Sequence, residues 1–114
     1  MKQSEDDLQR ACMKWFKFQY RDFAKRISHC PNGGKRSATE GAKFKAMGVL
    51  AGYPDIFLSI PRGNYGGAYF ELKTGNNSLT ENQEEFLKAH EKDYYCAICY
   101  SLDEFITAIN NYLN

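Results

Sequence analysis

The stretch Asp55-Ile-Phe-Leu-Ser-Ile-Pro-Arg-Gly-Asn-Tyr-Gly-Gly-Ala-Tyr-Phe-Glu-Leu-Lys73 decides how this chain folds. Ile56, Leu58 and Ile60 alternate with Asp55, Phe57 and Ser59, which is the two-residue period of a β-strand. Ala68, Phe70 and Leu72 alternate with Tyr69, Glu71 and Lys73 in the same way. The glycine-rich segment 61–67 lies between them, so the spacing predicts a hairpin with strands over 55–60 and 68–73. A loop centred on Asn64 pairs residues whose numbers sum to about 128, with direct neighbours about 5 Å and diagonal ones about 7–8 Å apart. Asp55 is then expected opposite Lys73 and Phe57 opposite Glu71. Asp55, Glu71 and Lys73 fall on one face at one end of the hairpin.

Two carboxylates and an ammonium that converge in this way have a definite chemistry. Two hard oxygen ligands suit Mg²⁺ or Mn²⁺, which keep several of their waters. Such an ion lowers the pKa of a bound water and offsets charge building on a phosphate, while the lysine holds or helps deprotonate that water. The same trio also reads as a surface ion cluster of little energetic worth.

Outward from the hairpin, helical and strand signals alternate. Leu8, Ala11, Cys12, Trp15, Phe16 and Phe23 follow a helical period, so a helix over about 4–24 is expected, capped by Ser4, with Lys14, Lys17, Arg21 and Lys25 mostly off the apolar stripe. Residues 26–30 read as a short strand, and Pro31-Asn32-Gly33-Gly34 as a loop. Ser37 and Glu40 have capping-box spacing and open a second helix, expected to run to Ala51 and end at Gly52. Thr80 and Gln83 box a third helix that runs to about Lys92. Tyr94 to Tyr100 reads as a buried strand. Ser101 and Glu104 open a last helix, with Tyr100 and Phe105 as its hydrophobic staple and Leu102, Phe105, Ile106, Ile109 and Leu113 as its apolar stripe. The order α-β-α-β-β-α-β-α describes a small α/β fold with a mixed sheet flanked by helices. With 114 residues, one domain over 1–114 is expected.

The net charge of +1 conceals a polarity. Residues 1–50 carry eleven Lys/Arg against five Asp/Glu, and residues 51–114 carry four against nine. The basic half invites a polyanion. The polar, acidic start lacks the apolar stretch of a secretory signal, and no apolar run is long enough to span a bilayer, so a cytoplasmic protein without a membrane partner is expected. Cys96 and Cys99 have C-x-x-C spacing, but on a strand that spacing points the thiols to opposite faces, so buried free thiols are expected there and at Cys12 and Cys30. His29 and His90 are expected to be partly exposed and non-catalytic. No P-loop and no dinucleotide fingerprint occurs, and no organic cofactor is implied.

Pro54-Asp55 followed by Glu71-Leu72-Lys73 is similar to the PD-(D/E)xK nuclease signature. Its surroundings are more specific. Ser4-Glu5 precedes a helix containing Leu8-Gln9. Pro31 to Arg36, then Gly48 to Asp55, Phe70 to Thr74, Leu79 to Gln83 and the Ser101-Leu102-Asp103-Glu104 helix start follow in order. Over nearly its whole length the chain resembles the VRR-NUC (virus-type replication-repair nuclease) family, in its standalone phage or bacterial form.

The resemblance implies a restriction-endonuclease-like core and Mg²⁺- or Mn²⁺-dependent hydrolysis of DNA phosphodiesters. Carried over by position, Asp55 and Glu71 become metal ligands, with the Leu72 carbonyl as a third. Lys73 becomes the residue that positions the attacking water. Gln83 is expected to orient Lys73 or the phosphate, beside its simpler reading as the capping partner of Thr80. Glu5 is expected to bind metal through water, beside its simpler reading as a first-turn carboxylate that complements the helix dipole. Lys35, Arg36, Lys43, Lys45 and Arg62 are candidate phosphate contacts, and Tyr65 is a weaker candidate for stacking on a base. Standalone members look like dimeric enzymes acting on four-way (Holliday) junctions, so branched DNA and a homodimer are implied. Two other readings stand beside this one: a flap- or nick-directed nuclease of the same chemistry, and a nucleic-acid-binding module that does not cleave.

Overall fold

Ser4 starts the first helix by accepting a hydrogen bond from the Asp7 amide at 3.0 Å. In the computed structural model, which describes residues 3–31 and 37–114, helix α1 runs over Glu5–Gln19. Leu8, Cys12 and Phe16, four residues apart, are its fully buried stripe. The helix stops short of the expected Ala24. Tyr20 leaves helical geometry at φ −120°, donates its hydroxyl to Asn110 Oδ1 at 2.6 Å, and stacks between Phe16 and Phe23. A single 3₁₀ turn, Arg21–Phe23, replaces the missing α-helical turn. Strand β1 follows over Ile27–His29.

Helix α2 spans Ala38–Ala46, with Ser37 as its cap. It ends at Gly48, not at Gly52 as expected. Gly48 sits at φ +99°, its amide donates to Lys45 O, and the Val49 amide reaches back to Phe44 O. These two bonds form a Schellman stop. Gly52 also has a positive φ, +84°, but serves another purpose: a Cβ there would lie 2.4 Å from the Asn82 carbonyl oxygen. Gly52→Ala, which adds a clash to a positive φ, is therefore expected to cost roughly 2 kcal/mol or more in a thermal melt, and Gly48→Ala, which carries the backbone strain alone, is expected to cost about 1 kcal/mol.

Strands β2 (Ile56–Leu58) and β3 (Ala68–Leu72) form the hairpin, helix α3 (Glu81–His90) crosses over, and β4 (Tyr95–Cys99) and helix α4 (Leu102–Leu113) complete the chain. The sheet order is β1-β2-β3-β4, antiparallel at the first two pairings and parallel at the third. The fold is thus the expected mixed α/β sheet flanked by four helices.

The hairpin register differs from expectation. Paired numbers sum to 126, as in Phe57 with Tyr69. A two-residue Gly63-Asn64 turn is closed by reciprocal bonds between Arg62 and Tyr65. Between that bridge and the Leu58–Ala68 pair, one strand holds residues 59–61 and the other only 66–67. The extra residue is a bulge; together with a turn centred between Gly63 and Asn64, not on Asn64, it moves the register by two and slides the partner of Asp55 from Lys73 to Glu71. Because the slip is two residues, every side chain keeps its face.

Ile56, Leu58, Phe70 and Leu72 face a core shared with α1 and α4, where Phe105 and Ile109 are fully buried. The opposite face carries Phe57 and Tyr69 against Tyr53, Phe86 and Tyr94. Strand β4, read as buried, is an edge strand. Its apolar residues fill the layers under the helices, but it pairs on one side only, and Ile98 is 39% exposed. Tyr100, read as half of a staple, is 40% exposed and donates its hydroxyl to the Asn77 carbonyl. Among the described residues no helix is long and apolar enough to cross a membrane.

Candidate active site

The acidic cluster forms where β2 begins and β3 ends. Asp55 stands just before β2, its backbone carbonyl accepting from the Cys30 amide at 3.3 Å and from His29 Nδ1 at 2.7 Å. A carbonyl cannot donate, so Nδ1 carries the imidazole proton. No local pattern signals this His29 contact, because it depends on the pairing of β1 with β2. Asp55 Oδ2 accepts from the Leu72 amide at 2.8 Å, which fixes the carboxylate over the end of β3. The Leu72 side chain is fully buried in the core, so only its backbone is turned to the site chemistry.

Glu71 is 2% exposed and Lys73 7%. Lys73 Nζ lies 3.8 Å from Glu71 Oε2. Gln83 donates its amide to the same oxygen at 3.0 Å. Its other end, Oε1, accepts from the Thr80 amide at 2.9 Å, while the Thr80 hydroxyl accepts from the Gln83 amide at 3.2 Å. One side chain thus closes the capping box of α3 and clamps the buried carboxylate. It meets Glu71, not Lys73 as expected, so the two readings of Gln83 are one arrangement. Glu71 Oε1 is buried with no hydrogen-bond partner among the described residues.

Burial pushes the Glu71 carboxyl up to about 8. The Asp55 carboxylate adds to that push, the Lys73 ammonium opposes it, and Glu5 adds a smaller share from the start of α1. The structure therefore brings Asp55, Glu71, Lys73, Gln83 and Glu5 together. No group of three or more His, Cys, Asp or Glu side chains forms a closed metal cage among the described residues. An orphaned buried oxygen, a neighbouring carboxylate and a site short of positive charge do fit a hard divalent cation that keeps much of its own hydration.

The expected phosphate contacts fare differently. Lys35 and Arg36 lie outside the described residues. Lys43 and Lys45 are exposed in the last turn of α2, and Lys45 lines a groove with Phe44, Leu50, Asn82 and Phe86 that opens next to Gln83. Arg62 is not at the site. It occupies the turn end of the hairpin, donates to the Pro61 and Leu113 carbonyls, and lies 6.0 Å from the Phe23 ring. The chain end of α4 draws it there, a contact that no local pattern encodes. Tyr65, in the same turn, packs on Tyr95 and Tyr112. His90 stacks on Phe86 at 3.9 Å and bonds the Phe86 carbonyl. The cysteines stand as free thiols, with burial pushing Cys12 and Cys99 up to about 12.

Comparison with known proteins bears on this geometry. A family model described as the VRR-NUC domain matches residues 3–102. A solved structure described as a VRR_NUC domain protein superposes with a TM-score of 0.85 at 34% sequence identity, covering 97% of this chain and 88% of that one. None of the curated proteins compared matches the chain.

Proposed function

This chain belongs to the VRR-NUC family, and from that premise we propose that it is a Mg²⁺- or Mn²⁺-dependent endonuclease that cuts branched DNA as a homodimer. Family membership makes it a nuclease with DNA as substrate. The observation that carries the metal-dependent reading is the buried, partnerless Glu71 Oε1 beside the Asp55 carboxylate.

Asp55, Glu71 and the Leu72 carbonyl would hold the cation, with Glu5 acting through water. When bound, a divalent cation supplies Lewis acidity toward a phosphate oxygen and toward the water that attacks phosphorus. Gln83 keeps Glu71 Oε2 occupied, which would leave Oε1 free to take part in holding a cation. The Leu72 amide holds Asp55 in register with Glu71. Lys73, nearly buried beside Glu71, would supply a donor to the attacking water and to the phosphate oxygen that gains charge. Lys43 and Lys45 would position the phosphates of the flanking strand.

Selectivity for branched DNA fits a two-fold dimer that presents two such sites to one junction. The open edge of β4, with Ile98 and Tyr100 exposed, is the surface on which two copies would join. Ile98→Lys is expected to leave the melting free energy within about 0.5 kcal/mol and to give a monomer in sedimentation equilibrium. A variant that remains dimeric moves the interface elsewhere.

The deciding experiment sets end-labelled four-way junction, flap and linear duplex against Mg²⁺, Mn²⁺ and EDTA. Paired metal-dependent cuts in the junction support the proposal. Cutting confined to the flap makes this a flap-directed enzyme, and salt-sensitive binding without any cutting makes it a binding module.

A further inference from the structure

We propose that the outer face of α1 is a second DNA-contacting surface, along which Arg10, Lys14, Lys17 and Arg21 follow the phosphates of a duplex arm leading away from the cleavage position. The proposal rests on the nuclease reading only for the identity of the polyanion.

Arg10, Lys14 and Lys17 stand at intervals of four and three, so they form one stripe on the side of α1 opposite Leu8, Cys12 and Phe16, and Arg21 follows in the 3₁₀ turn beyond the helix end. Each is exposed. Arg10 has a loose contact with Asp7 at 3.9 Å, and among the described residues Lys14, Lys17 and Arg21 have no ion-pair partner. Lys25 continues the series just past the 3₁₀ turn and is exposed as well. From Arg10 to Lys17 the helical part of the stripe covers roughly 10 Å at 1.5 Å per residue. That equals about three base pairs at 3.4 Å each.

Helix physics alone does not call for this pattern. The helix dipole favours a cation in the last turn, which accounts for Lys17, but not for Arg10 or Lys14 in the middle. Like charges four residues apart on the helix, Arg10 with Lys14, repel each other. An apolar ring also sits in the stripe: Phe18 is 69% exposed, with the Arg21 guanidinium 5.3 Å from its centroid. An exposed Phe next to four cations suits a surface that is apolar at its sugars and anionic at its phosphates.

Direction comes from the start of the same helix. Glu5 opens α1, and its charge is felt by Glu71. The N-terminal end of α1 is therefore its end nearer Glu71, and Arg10, Lys14 and Lys17 follow in order along the helix from there. The exposed carboxylates of α3 and of the first turn of α4 lie on other elements, and those near the stripe, Asp6 and Asp7 in the first turn of α1 and Asp22 in the 3₁₀ turn, flank its two ends.

The test measures binding of the full chain, in EDTA, to a fluorescent four-way junction with long arms and to one with arms trimmed to a few base pairs. The doubly substituted Lys14→Ala/Lys17→Ala protein is expected to bind the long-armed junction about 10-fold more weakly, with a salt slope smaller by about 2. Its affinity for the trimmed junction, and its cleavage rate at saturating DNA, are expected to stay unchanged. Lys88→Ala/Lys92→Ala removes the same charge from the opposite side and is expected to change affinity less than 2-fold. Equal losses from the two double variants overturn the proposal, as does no loss from either. Phe18→Ser that alters the sedimentation coefficient while sparing DNA affinity also overturns it, because the face then belongs to a second copy. A wild-type protein that shows the expected difference between double variants yet cuts no DNA sinks the nuclease reading and leaves the stripe in place.

Discussion

Lys73→Ala is expected to slow single-turnover cleavage by roughly 10³-fold while leaving DNA affinity within about 2-fold. The ammonium is the one cation of the described cluster, nearly buried and 3.8 Å from Glu71 Oε2. A cation at that depth adds little to binding a polyanion at the surface, but in the proposed mechanism it stands where charge would develop in the reaction. The fold should survive its loss. Lys73 is the group that lowers the Glu71 pKa, so removing it lets Glu71 hold its proton more firmly and leaves no bare buried carboxylate near neutral pH. Rapid-quench kinetics beside a binding titration separates the two quantities. A variant that cuts at the wild-type rate, or that loses binding and cutting together, removes Lys73 from the chemistry.

The second large effect concerns stability. Glu71 is raised by burial and by Asp55 to about 8, above the ordinary carboxyl value that it regains on unfolding. The folded state therefore holds a proton that the unfolded state has released across that interval, and stability falls as pH rises through it. Below the unfolded pKa the contribution is complete, and it is lost as the pH passes about 8. Glu71→Gln removes the titrating group and keeps an acceptor for Gln83. The metal-free variant is expected to gain about 1–2 kcal/mol at pH 8, several degrees in melting temperature, with little gain at pH 4. Mn²⁺ should raise the wild-type melting temperature at pH 8 and barely move that of the variant. A melt with the opposite pH trend means that Glu71 is already ionised in the free protein. The site is thus built at the expense of the fold, as expected where function needs a charge that the interior disfavours.

The alternation in 55–73 was enough to bring Asp55, Glu71 and Lys73 onto one face, although the partner of Asp55 was wrong. Side chains alternate with period two, so a two-residue slip changes neighbours and preserves faces. Capping residues were legible because their bonds are local: Ser4, Ser37, Thr80 and Ser101 each accept from an amide three residues on. Two failures were local: the turn and bulge inside 59–67 set the register, and the bonds from Gly48 and Val49 back to Lys45 and Phe44 stop α2 there. The others needed contacts from far along the chain, as at Gly52, which packs on Asn82. Tyr20 leaves its helix for Asn110, and Arg62 goes to the end of α4. Strand β4 is apolar like a central strand because helices cover its faces, and sequence does not say which edge lacks a partner.

Gln83 carries a consequence for how the site can be watched. Its two ends join the Thr80 amide to the Glu71 carboxylate, so the first turn of α3 cannot fray while the clamp on Glu71 stays closed. Hydrogen–deuterium exchange at the Thr80 amide is therefore a clock for opening of the catalytic cluster. It reads, from an exposed helix start, the lifetime of an arrangement whose carboxylate is hidden from solvent.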